Sequence, residues 1–226
     1  MRIGVVNAGN IGRTLAQAWL RAGHDLLLAK DGCQRKLDDF IVDHPIARRG
    51  TPAQAVAFGD VVLFSVYWPR LPAVLSATGP IAGKIVIDTM NPLRVDEHFQ
   101  HSHDLEFMAR SSTTEKLQRE LPDARVVKAF STMPSQLLDI RLWHDTPTPP
   151  PVFLAGDDTA AKAVVATLAR DAGFTALDTG HAAAARSIEQ LGVLTHQVGK
   201  HNFGGEYQNL APAILRAGPA VAIGAK

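Results

Sequence analysis

The sequence predicts an α/β fold: a parallel, doubly wound sheet followed by a small helical C-terminal appendage. Short runs that are apolar throughout alternate with amphipathic segments up to about residue 180, as expected of strands buried on both faces beneath crossover helices. A glycine-bearing turn joins the first apolar run directly to the first helical segment. Beyond residue 180 the strand signals stop. Right-handed crossovers then place helices on both sides of the sheet.

Ile3-Gly4-Val5-Val6 reads as the first strand. Asn10 to Ala22 follows as a helix, with Ile11, Leu15, Ala18, Trp19 and Ala22 on one face and Gly23 as its left-handed stop. Asp25 to Ala29 is the second strand and Pro45 to Arg48 a candidate third; Thr51-Pro52 caps another helix. Val61 to Val66, Lys84 to Asp88 and Arg125 to Phe130 continue the sheet, the last preceded by a helix opened by a capping box from Ser112 to Glu115. The prolines between 147 and 151 read as a stiff extended connector. Val152 to Ala155 is a strand, Asp158 to Ala172 an alanine-rich helix and Phe174 to Asp178 a further strand. A helix from about Ala182 to Leu191 leads into a polar, glycine-containing stretch, and a last helix is expected near Glu206 to Arg216. Residues 1–180 thus read as one domain and residues 181–226 as a segment on the substrate side or at a dimer contact.

Bulk composition narrows the function. Hydrophobic residues make up 46% of the 226, enough for a full core. Twenty-three basic side chains stand against 22 acidic ones without a charged block, which disfavours nucleic acid and anionic membrane as partners. A single cysteine, Cys33, forbids an internal disulfide and suits a reducing compartment. The apolar run at the start of the sequence, broken by Gly9, is expected to be too short for a signal peptide or a membrane span. The expectation is a cytoplasmic protein with a small-molecule partner.

The turn Asn7-Ala8-Gly9-Asn10-Ile11-Gly12 carries the strongest chemistry. It sits after the first strand and opens the first helix, where the dinucleotide fingerprint of a Rossmann sheet belongs. Gly9 lets backbone approach a pyrophosphate, Gly12 permits close helix–strand packing, and the N–H groups of the helix start face the phosphates. Asn7 stands where the fingerprint has its first glycine; Asn is among the residues that tolerate unusual backbone angles. The end of the second strand speaks both ways about the dinucleotide. Asp31 is placed to bond the ribose 2′-hydroxyl of NAD, whereas Lys30, Arg35 and Lys36 suit the 2′-phosphate of NADP.

Several further segments carry a family likeness: Gly4 to Gly12 (GVVNAGNIG), Gly23-His24, Lys84 to Pro92 (KIVIDTMNP), Ala124 to Phe130 (ARVVKAF), Val152 to Asp158 (VFLAGDD) and Leu168 to Gly180. With them the chain resembles the NADP oxidoreductases typified by the NADPH-dependent reductase of the deazaflavin coenzyme F-420, and the reductase domain of the STEAP metalloreductases. The resemblance implies a Rossmann-type fold, NADP as cofactor and hydride transfer to a redox acceptor. The chain departs from that family at Asn7, at Lys30-Asp31 where the family tends to carry Ser-Arg, and at Ser131 where it often has Asn.

In an open parallel sheet the ligand lies beyond the carboxyl ends of the strands. Ser65, Val66 and Tyr67, with Trp68, end the fourth strand; Asn91 follows the fifth; Ser131 to Met133 follow the sixth. Asn91 is the polar side chain expected nearest the nicotinamide ribose or amide. Transfer to a flat ring, whether deazaflavin, flavin or quinone-like, demands position rather than a general acid. Reduction of a small carbonyl or imine would demand one, for which His181, His196, His201 and Tyr207 are candidates. A dinucleotide-sensing protein without turnover is the third reading. The stretch His196 to Asn202 reads as a surface loop or subunit contact, and His98, His101 and His103 as a solvated loop whose spacing fits no metal site.

Overall fold

In the computed structural model, residues 1–30, 33–95 and 101–215 are described. In chain order the regular elements are β1 (Arg2–Val6), α1 (Asn10–Arg21), β2 (Asp25–Leu28), α2 (Arg35–Asp43), β3 (Arg48–Arg49), α3 (Pro52–Phe58), β4 (Val61–Phe64), α4 (Leu71–Thr78) and β5 (Ile85–Asp88). There follow β6 (Leu93–Val95), β7 (His101–His103), α5 (Leu105–Met108), α6 (Thr113–Glu120), β8 (Arg125–Lys128), β9 (Val152–Leu154), α7 (Thr159–Asp171), β10 (Ala176–Asp178) and α8 (Ala185–Asn202). The main sheet has the order β3-β2-β1-β4-β5-β8, every neighbour parallel. The order reverses between β1 and β4, so a crevice opens beyond the ends of those two strands.

Burial explains why these segments are strands. β4 and β5 are buried along their whole length, as a central strand under helices on both faces requires. One core layer joins β1, β4 and β5 to α1 and α7 through Ile3, Val5, Leu15, Trp19, Leu63, Ile87 and Leu168. The opposite layer joins Val6, Val62, Phe64 and Val86 to α3 and α4 through Val56 and Val74. The Trp19 indole donates to the Leu168 carbonyl at 2.9 Å, which satisfies its one polar atom inside the core. Thr51 and Gln54 form the full reciprocal cap of α3, with Pro52 at its first turn. Ser112 accepts from the Glu115 amide, and its hydroxyl donates to the Glu115 carboxylate.

Four expectations need correction. β9 and β10 pair parallel with each other, but they meet the main sheet through an antiparallel bridge between Lys128 and Ala155. The connection from β8 to β9 contains only 3-10 turns at Ser135–Leu138 and Ile140–Trp143, with no crossover helix to bring the chain back parallel. The stretch His196 to Asn202 is the last part of α8, not a loop. Gly199 sits there because a Cβ would meet Tyr207 Cβ at 2.7 Å, so the glycine admits the returning chain. The helix expected at Glu206 to Arg216 is a single 3-10 turn, Tyr207–Asn209, within the described residues; Gly204 and Gly205 hold positive φ before it, Pro212 follows, and Arg216 lies outside the described residues. His101 and His103 belong to a strand pair, β6 with β7 antiparallel, rather than a loop; Asp96, Glu97 and His98 lie outside the described residues.

Candidate active site

The turn after β1 has the conformation a pyrophosphate cradle needs. Asn7 holds φ +59°, the left-handed geometry for which the fingerprint uses glycine. Its carbonyl accepts from the Gly9 amide at 2.7 Å, while the Ala8 amide is tied to the Ala29 carbonyl at 2.7 Å. Ala8 itself is fully buried; it anchors the turn and shows no side chain to a ligand. A Cβ on Gly9 would point into open space, its nearest neighbour 3.9 Å away, and that space is where phosphate would approach. A Cβ on Gly12 would lie 3.1 Å from Val5 and 3.3 Å from Ser65, so here glycine serves helix–strand packing. The Ser65 hydroxyl accepts from the Gly12 amide at 3.1 Å and caps α1 from the neighbouring strand. Arg13 folds back over the turn, donating to the Gly9 carbonyl and the Asn10 side chain, and adds a full positive charge to the helix end.

A cleft of about 630 Å³ runs from this turn along the strand ends. Asn7, Gly9, Asn10 and Ile11 form one end; Ser65, Val66, Tyr67 and Trp68 form the wall; Thr89, Met90, Asn91, Met133 and Tyr207 form the far end. Eight of the cofactor-binding candidates, Asn7, Gly9, Asn10, Ile11, Ser65, Val66, Tyr67 and Asn91, therefore line one cavity. Lys30 and Arg35 lie at the end of β2 and the start of α2, outside the cleft lining, and Asp31 lies outside the described residues. At the far end Asn91 donates from Nδ2 to the Ser131 carbonyl at 2.8 Å, leaving its buried Oδ1 without a protein partner. An orphaned buried acceptor in a binding cleft is a ready partner for an amide or hydroxyl donor. The residues thus fit a nicotinamide dinucleotide at both ends.

Beyond Asn91 the cleft continues into a pocket of about 150 Å³ walled by Leu93, Met133, Pro134, His103, His196 and Tyr207. Of the four acid candidates, His196 and Tyr207 reach this pocket; His181 is exposed beside Asp157 and His201 is exposed on α8. The sequence reading missed His103. It stands 93 residues from His196, yet its Nε2 lies 3.2 Å from His196 Nδ1; only the β6–β7 pairing and the uninterrupted α8 bring them together.

It also missed a buried charge cluster behind the cleft. Lys128, at the end of β8, is fully buried. Its Nζ donates to Asp88 at 3.3 Å, to Glu189 at 2.7 Å, to Thr113 at 2.7 Å and to the Met90 carbonyl. Asp88 further accepts from Thr113, Thr114 and the Met90 amide. Burial works against the ammonium, but Asp88 and Glu189 outweigh it and hold Lys128 above its ordinary pKa. Burial pushes the Glu189 carboxyl upward, only partly offset by Lys128. The cluster fixes the Met90-Asn91 turn from behind and ties α8 to the sheet.

These features define a class of fold and site, a Rossmann sheet with a dinucleotide-type turn and a cleft at its switch point. Within it, residues 2–92 match the family described as NADP oxidoreductase, coenzyme F420-dependent. Rat metalloreductase STEAP3 is 28% identical over 190 residues, which span 84% of this chain and 36% of the rat protein. The chain therefore spans little more than a third of the length of the curated relatives it matches. A crystal structure from Arthrobacter sp. FB24, described as a candidate F420-dependent NADP-reductase, superposes with a TM-score of 0.81 at 28% identity, covering 96% of this chain and all of that one. A reductive aminase from Aspergillus terreus, in complex with NADPH, shares the fold alone at 15% identity and TM-score 0.61, covering 90% of this chain and 62% of its own. No helix among the described residues is long and apolar enough to cross a membrane.

Proposed function

We propose that the chain binds NADPH along the 630 Å³ cleft and directs hydride to a flat redox acceptor, a deazaflavin, flavin or quinone-like ring, in the adjoining pocket. The observation that carries this reading is the continuity of the two cavities: they share Asn91, Leu93, Met133, Pro134 and Tyr207, so donor and acceptor rings would meet there. Bound NADPH supplies the hydride. The residues supply position: Gly9 and the α1 amino end hold phosphate, Ser65 and Val66 wall the dinucleotide, and Asn91 Oδ1 accepts from the carboxamide or ribose. Leu93, Met133 and Pro134 offer apolar faces to a ring edge and exclude water. Lys30 and Arg35 favour NADP over NAD; Asp31 opposes them. The lone Cys33 agrees with a cytoplasmic setting. A second copy of the chain on α8 belongs to the same reading, because Leu194, Val198 and Phe203 are exposed.

The test is spectroscopic. NADPH and NADH are mixed separately with the protein and with FMN, a deazaflavin, menadione, a ketone or a cyclic imine. Oxidation of NADPH with the planar acceptors alone supports the reading. Oxidation with the ketone or imine alone replaces it with carbonyl or imine reduction, and tight NADPH binding without oxidation replaces it with sensing. Light scattering at several concentrations checks for the dimer, which Leu194→Glu should break.

A further inference from the structure

We infer that His103 and His196 form a proton-donating couple for the acceptor, so that the pocket supplies the proton that accompanies hydride transfer. The inference rests on the proposed reductase activity. Its basis is placement. Both rings line the acceptor end of the site, and one nitrogen of each is spent on the other at 3.2 Å. The opposite nitrogen of His103, Nδ1, is buried without a partner. A lone pair left unpaired there costs less than an N–H without an acceptor. The neutral arrangement therefore puts the proton on His103 Nε2, donating to His196 Nδ1, and leaves His196 Nε2 carrying N–H. The His196 ring is held against Tyr207 with centroids 3.8 Å apart, and its backbone is fixed on α8, which Glu189 anchors through Lys128.

The surroundings decide how the couple titrates. Among the described residues, the groups facing it are the two imidazoles themselves and Tyr207 on the returning chain. Asp104, next to His103, is tied to Arg94 and to the amide of Phe107. Among the described residues no carboxylate forms an ion pair with either ring. Burial, and for His103 also the neighbouring ring, resists protonation. A proton taken up by the couple is therefore weakly held and readily passed on, but the protonated fraction grows only as pH falls, so the donor should work best on the acid side.

The step balances as follows. The two electrons and one hydrogen come from the dihydronicotinamide. The couple, having first taken up one proton, loses an N–H bond as an N–H or O–H bond forms on the acceptor ring. The neutral couple then regains its proton from water. One NADPH, one acceptor and one proton give NADP and the two-electron-reduced acceptor.

Two measurements test this. Single-turnover oxidation of NADPH by a deazaflavin or by menadione is followed from pH 5 to pH 9 in the wild type, His103→Gln and His196→Gln. The wild-type rate should rise toward acid with an inflection below the usual imidazole value. Each variant should lose that inflection and fall at least tenfold at its optimum while binding NADPH within about twofold of wild type. Separately, imidazole resonances of the protein without any coenzyme should show the two rings titrating together and abnormally low; His196→Gln should ease the depression of His103 by removing the neighbouring ring, while burial keeps His196 low in His103→Gln. If the variants keep the wild-type pH profile, the couple is not the donor and the reductase reading stands. Should the two rings titrate independently, the couple itself is refuted. If the wild type oxidises NADPH with no acceptor, the reductase reading fails and this inference with it.

Discussion

At Asn7 and the two glycines after it, three backbone positions do different work, and substitution separates them. Asn7 sits at φ +59°, where a side chain without a local polar group costs about 1–2 kcal/mol. Asn7→Gly should therefore leave stability unchanged or raise it, whereas Asn7→Val should lower it by about 1–2 kcal/mol in urea unfolding. Gly9→Val should fold normally, because its Cβ enters open space, yet weaken NADPH binding by at least tenfold in calorimetry by filling the phosphate's approach. Gly12→Val has no such freedom: it pushes on Val5 and Ser65 and should lose stability as well as affinity. Equal NADPH affinity in Gly9→Val and wild type would show that the pyrophosphate lies elsewhere.

Among the elements, α8 is held by a buried charge cluster as well as by the apolar contacts of Ala185 and Ile188 with Phe153 and Ala155. Lys128 is buried with Asp88 and Glu189 at the meeting of β5, β8, α6 and α8. Breaking a buried ion pair by removing one partner typically costs about 3–5 kcal/mol, because a charge is left uncompensated. Lys128→Met should cost that much, with α8 amides losing hydrogen-exchange protection first. Glu189→Gln keeps a hydrogen-bonding group near Thr113 and should cost less; an equal loss in the two variants would mean that packing, not charge, sets the penalty. This cluster also marks the limit of what could be read without coordinates. The main sheet and its helices were legible because apolar runs, caps and the Gly9–Gly12 turn are local signals, and eight cofactor-site candidates between Asn7 and Asn91 do line one cleft, whereas the antiparallel joining of β9 and the β6–β7 pair were not. Lys128 and Asp88 were quoted as family-like segments, but a lysine inside a strand gives no local sign of a carboxylate 61 residues away. His103 was read as part of a solvated loop for the same reason. Gly199 suggested a loop where the chain continues as helix, since a glycine that admits a neighbouring segment looks locally like a breaker.

For the whole molecule, the wall of the smaller pocket and the sheet are joined through groups that respond to acid in opposite senses. His103 and His196 are held below the ordinary imidazole value by burial. The unfolded chain therefore takes up their protons first, at about pH 6.5. Their contribution is fully present above that value and is lost as pH falls through their depressed folded values. Glu115 follows the same sign at lower pH: the Arg186 hydrogen bond holds it below the usual carboxylate value, so its contribution goes as pH falls past that range. Glu189 has the opposite sign. Burial raises it, so its contribution is complete below the ordinary carboxylate value and declines as pH rises through its folded one. A single stability curve mixes these windows; a difference curve separates them. Urea unfolding of the wild type and of the His103→Gln, His196→Gln double variant between pH 5 and 8 should give curves that run parallel above pH 7 and diverge in slope below about 6.5, the wild type falling more steeply. Hydrogen exchange at pH 5.5 should locate that loss in α8 and the β6–β7 pair while the main sheet stays protected. Curves that remain parallel down to pH 5 would mean that the two rings are as easily protonated in the folded chain as in the unfolded one, and the pocket wall would then owe nothing of its stability to keeping them neutral.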